Sequence, residues 1–171
     1  LHCHPIQIMI TTEHLDACVE HFHAHPESFE KQMTQLQTAQ PELAAILLNT
    51  NAELLSDEEL DYLLFLFLIL FSSYERQGAL PVFKAEEVIT SEEASWKVIN
   101  DHNDYDQAVE KFYEQLKNQD VVEYIDLAIA PEEGSEIAIS DPGRMVLLTV
   151  LSALARLLED ARSLGEPPSS S

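Results

Sequence analysis

The sequence predicts an all-α, single-domain bundle of about seven helices around a central hydrophobic helix at about residues 57–77. Three observations predict it. Apolar residues recur at helical spacing along most of the chain. Glycine and proline fall between these stripes. One ten-residue run, Tyr62 to Phe71, carries no polar side chain beyond the tyrosine hydroxyl.

The first helix is expected over Thr12 to Ala24, with Leu15, Val19 and Phe22 as its apolar stripe. The second starts near Pro26 and carries Phe29, Met33 and Leu36. The third starts at Pro41, turns Leu43, Ile46 and Leu47 inward, and is expected to break at Asn49, Thr50 and Asn51. Pro26, Pro41 and Pro142 stand where a first helical turn needs no backbone N–H donor.

The fourth helix is the central one. Ser56 followed by Glu59 forms a capping box, Arg76 suits the negative end of the helix dipole, and Gly78 supplies the stop. Its apolar run spans roughly 15 Å, short of the ~20 residues a bilayer crossing needs. Asp57, Glu58, Glu59 and Asp61 precede it directly. A helix apolar on all sides and too short to cross a bilayer is one surrounded by other helices.

Ala79 to Phe83 is read as a connector. The fifth helix covers roughly Ala85 to Asn100, carrying Val88, Ile89, Trp96 and Ile99 as its apolar residues, and Asp101 to Asn103 forms a turn. Asp104 with Gln107 opens the sixth, which carries Val109, Phe112, Tyr113 and Leu116. Asp120 is expected to cap the seventh, with Val122, Ile125 and Ile129. Pro131 to Ser135 is an acidic loop and Ile137 to Ile139 is left extended. Ser140 or Asp141 caps a last helix whose stripe is Leu147, Leu151, Leu154 and Leu158, supported by Val150 and Leu157. Residues 9–165 thus form the expected domain, 1–8 an irregular leader and 166–171 a disordered tail.

Nine basic residues face 31 acidic ones, a formal net charge of -22. Lys31 is the only Lys or Arg before Arg76. Such a surface repels phosphate backbones and anionic headgroups, so direct nucleic-acid and membrane binding are disfavoured. It serves solubility first. Beyond that it suits a basic protein partner, nucleic-acid mimicry or high salt. Cys3 and Cys18 are no disulfide framework, and the chain is read as cytoplasmic.

Six of the seven histidines lie in the first 25 residues. His14, Cys18, His21 and His25 follow i, i+4, i+7 and i+11 spacing, one row on a helix. Imidazoles and a thiol in a row suit Zn²⁺ or another transition metal, with His14, Cys18 and His21 as the candidate ligands and Glu13 and Glu20 to orient them. Against this, the row borders the apolar stripe, and one helix cannot supply tetrahedral coordination. Glu20 with His23 matches half of a di-iron pattern whose other half is missing. Phosphate loops, His-Glu-x-x-His, Cys-x-x-Cys and Gly-x-Ser-x-Gly do not occur.

The function favoured by these readings is a non-enzymatic, acidic helical protein acting through protein–protein contact, with a basic partner and no cofactor. The alternatives are a small transition-metal-binding protein using the His/Cys row, and an enzyme without a linear motif. Oligomeric state is not legible in the chain.

Overall fold

The computed structural model describes residues 9–102, 104–130 and 137–164, with side chains of the last helix described through Ala161. The expected leader at 1–8, the tail at 166–171, Asn103 and the loop Pro131 to Ser135 lie outside the described residues. Among the described residues there are eight helices and no strand. They are α1 (Thr12–Ala24), α2 (Glu27–Ala39), α3, α4 (Asp57–Glu75), α5 (Ala85–Asp101), α6 (Tyr105–Gln115), α7 (Gln119–Ile129) and α8 (Asp141–Leu164). Helix α3 is composite: Pro41–Leu43, then a π-helical segment Ala44–Asn49, then Thr50–Ala52. The chain is an all-α bundle.

Helix α4 forms as its sequence dictates. The Ser56 hydroxyl accepts the Glu59 N–H at 3.1 Å, and Glu59 Oε1 accepts the Ser56 N–H at 2.9 Å. Leu63 and every residue from Leu66 to Tyr74 are buried. Gly78, with φ 149°, turns the chain away after the helix in a conformation that other residues rarely adopt. No described helix is long and apolar enough to cross a membrane.

The post has a companion. Helix α8 packs most extensively on α5, then on α4 and α7, and is buried continuously from Val146 to Ala155. The expected stripe is buried, and Val146 and Leu148 beside it are buried as well. The rest of its circumference carries Thr149, Ser152, Ala153 and Ala155, small enough to admit neighbours closely. Serines answer them on α5: Ser91 and Ser95 are buried, and the Ser91 hydroxyl donates to the Ala153 carbonyl at 2.8 Å.

Three expectations change. Asn49, Thr50 and Asn51 do not break α3. Thr50 Oγ1 donates to the Ala45 carbonyl, and the Asn51 amide donates to the Leu47 carbonyl and to Glu92, so their polar groups are satisfied within the helix and its neighbour. Ile89 is 42% exposed, because the inner face of α5 is built on Val88, Ser91, Ser95 and Val98. Asp120 does not cap its own helix. Its carboxylate accepts the Thr12 N–H at 3.0 Å and so serves the start of α1.

Buried carboxylates fix both ends of α8. Near its start, Glu59 Oε2 accepts the Ser140 N–H and hydroxyl, each at 2.8 Å, while Ser140 Oγ accepts the Gly143 N–H. A Cβ on Gly143 would stand 2.1 Å from that carboxylate oxygen, so any other residue there must displace the Glu59 side chain. Near its other end, Glu159 accepts the backbone N–H groups of Lys117 and Asn118 at 3.0 and 3.2 Å, capping α7. The Asn118 side-chain amide nitrogen donates to the Tyr74 hydroxyl, and its side-chain oxygen Oδ1 is buried without a partner among the described residues.

Candidate functional site

Helix α5 and the C-terminal half of α8 diverge around a groove of about 610 Å³. Phe83, Ala94, Leu157 and Ala161 give it an apolar lining. The connector residue Pro81 bounds it as well. The connector is held in place by Gln40, which donates to the Pro81 carbonyl at 2.8 Å and accepts the Phe83 N–H at 3.0 Å. That buried pair of bonds ties the groove to the end of α2.

Charge in the groove is unequally distributed. Glu86, Glu87 and Asp160 are exposed along it, against one cation, Arg156. Arg156 Nη1 donates to the Ser91 carbonyl at 3.0 Å and the Ser95 hydroxyl at 2.8 Å, and Nη2 donates to Gln115 Oε1 at 2.9 Å. The guanidinium thus laces α8 to α5 and α6 through neutral oxygens. Among the described residues it has no carboxylate within ion-pair distance. Burial lowers its pKa, opposed by Asp160 and Glu159. Burial raises the carboxyl of Asp160, opposed by Arg156 and Lys117. With three carboxylates to one guanidinium, the groove is net acidic.

Apolar surface continues beyond the lining. Val82, between Pro81 and Phe83, is 63% exposed. Ile89 lies on the exposed side of α5, one residue before the lining residue Thr90. Lone exposed apolar residues need no explanation, but these two flank an apolar groove.

The sequence-expected ligands are not brought together. Cys18 is fully buried beside the Ser73 hydroxyl, 3.3 Å from Sγ. His14 Nδ1 accepts the Thr11 N–H at 3.0 Å, serving as the reciprocal half of the α1 capping box. His21 is half-buried near α2, and His23 stacks on Phe65 with ring centroids 6.1 Å apart. Among the described residues no group of three or more His, Cys, Asp and Glu side chains is placed to hold a metal ion. The aromatic residues around residue 101 are mostly structural: Phe112 is buried, and the Tyr105 hydroxyl donates to Asp126 at 2.9 Å. Burial and that hydrogen bond push the Tyr105 phenol well above its ordinary pKa.

Sequence reasoning passed over the groove. Its signals were the small residues Ser91, Ala94 and Ser95 at i, i+3 and i+4 and the matching set Arg156, Leu157, Asp160 and Ala161 on α8. No family model, no curated protein and no solved structure matches the chain.

Proposed function

We propose that this protein is a non-enzymatic interaction module that takes a basic, amphipathic segment of a partner protein into the α5–α8 groove. The observation that carries the reading is the apolar lining edged by Glu86, Glu87 and Asp160 in a chain of net charge -22. An apolar helix face laid in such a groove would meet Phe83, Leu157 and Ala161, while lysines or arginines beside that face would meet the carboxylates. The acidic field would speed encounter with a cationic partner and make the association salt-sensitive.

Thr90→Arg tests it. Thr90 is exposed on the groove wall, so an arginine there adds bulk and positive charge without entering the core. The expected result is a partner retained by the wild-type protein at low salt, released as salt rises, and bound at least about tenfold more weakly by the variant. A retained set identical for the two proteins would exclude the groove as the docking site.

A further inference from the structure

The histidine row has a part at the surface of the bundle, where His21 is half-buried and His25 is exposed. His21 and His25 stand at the end of α1, with ring centroids 5.2 Å apart and planes tilted by 45°. His25 follows the last helical residue, and its backbone N–H still bonds the His21 carbonyl at 2.9 Å. The two imidazoles therefore share one face although the helix ends between them.

The separation fits chelation. A transition-metal ion lies about 2.0–2.1 Å from an imidazole nitrogen, which puts it about 3.2 Å from the ring centroid. Two imidazoles meeting at a tetrahedral angle on one ion then have centroids about 5 Å apart. His14 and Cys18, the other members of the row, are committed to a helix cap and to the core.

Two neighbours complete the site. Glu27 Oε1 stands 3.5 Å from Nδ1 of His25. Drawn in to hydrogen-bond distance, that carboxylate would hold the tautomer that leaves Nε2 for a metal, the usual partner of a ligating histidine. Gln32, on α2, brings its amide within 3.5 Å of Nε2 of His21. Turning that amide by half a turn puts its carbonyl oxygen at the same place, as a third donor from a second helix.

We propose that His21 and His25 chelate a divalent transition-metal ion of the zinc, nickel and copper group, with Gln32 as a third donor and Glu27 orienting His25. Nitrogen-rich, partly exposed sites select these ions over magnesium or calcium. The acidic field of the N-terminal half, where Lys31 is the only Lys or Arg before Arg76, concentrates cations around the site. The ion would staple α1 to α2. The site is independent of the groove.

The experiment uses the full chain without an affinity tag, titrated calorimetrically with Zn²⁺ and, separately, Ni²⁺, with melting temperature followed in parallel. One ion per chain and a raised melting temperature are expected. His21→Ala and His25→Ala should each weaken binding more than about tenfold, and Glu27→Gln by about tenfold, while His14→Ala and Cys18→Ser retain it. Both histidines are outside the core, so unchanged helical circular dichroism shows that the variants fold. No uptake of either ion, or uptake undiminished in the His21→Ala/His25→Ala double variant, overturns the proposal. Loss confined to the His14 and Cys18 variants overturns it equally.

Discussion

Glu59 and Glu159 cap helix starts at opposite ends of α8, and their carboxyls are displaced in opposite directions. Both are nearly closed to solvent, with 4% and 7% exposure, but Glu159 lies deeper among protein atoms and burial weighs on it more heavily. At Glu59 burial raises the pKa, but hydrogen bonds from the Ser56 and Ser140 backbones and the Ser140 hydroxyl outweigh it, and the net shift is downward. At Glu159 burial again raises it, and the backbone bonds from Lys117 and Asn118, opposed by the adjacent Asp160, do not overcome it. Geometry gives the reason. Glu59 receives bonds from the Ser56 backbone and from both the backbone and the hydroxyl of Ser140, while Glu159 receives two backbone bonds and stands beside the like charge of Asp160. A buried carboxylate stabilises a fold according to the donors and dipoles converging on it, and depth alone only penalises it.

The contrast can be broken most severely at Glu59. Glu59→Ala leaves the Ser140 and Ser56 donors without their acceptor and should lower unfolding free energy by about 2–4 kcal/mol in chemical denaturation. A loss under about 1 kcal/mol would show that the corner is held by packing instead.

Gly143→Ala should cost about 1–3 kcal/mol, since the new methyl group displaces the pinned carboxylate. In the Glu59→Ala background the same change should become neutral or favourable, because alanine is the better helix former and nothing remains to collide with. Additive losses would mean that the two residues are not coupled.

Acid separates the corners by sign. Because the Glu59 carboxyl is lowered in the fold, its contribution is fully present above the unfolded value of 4.5 and is lost as pH falls through the lower folded value. The stability gap between wild type and Glu59→Gln should therefore narrow below about pH 4.5. Comparing each variant with wild type at the same pH removes the shared effect of the net charge.

The smallest effect is expected at Glu159. Its raised carboxyl means that the ionised form is a burden near neutrality, relieved as pH falls through the folded value toward 4.5. Glu159→Gln should lie within about 1 kcal/mol of wild type at pH 7. Wild type should then gain on it as pH is lowered from 7 toward 4.5. A gap that moves the other way would reverse the assignment of the two corners.

Much of the fold was legible in the chain, because helix starts and stripes are local. The bounds of α1 match those expected, and α4 begins at its capping box and ends two residues short of Gln77. What could not be read is non-local. Glu59 is visible as a capping residue of its own helix, but its second bond is to Ser140, 81 positions away. Asp120 has the same ambiguity, since a carboxylate at a helix start caps whichever helix the fold brings to it. Ile89 stands outward because the buried face of α5 runs through Val88, Ser91, Ser95 and Val98, against α8. Of the histidine row, the spacing of His21 and His25 was readable, while the burial of Cys18 and the capping role of His14 were not.

The position of α8 in the chain has a consequence for synthesis. It is the last described helix and the wall against which α5, α4 and α7 are built. Until residues 141–164 have left the ribosome, the oily flank of α4 that α8 covers has no native cover. Completion of the bundle must wait for residues 141–164, so the nascent chain passes through a sticky interval in which its dense negative charge opposes contact between neighbouring copies.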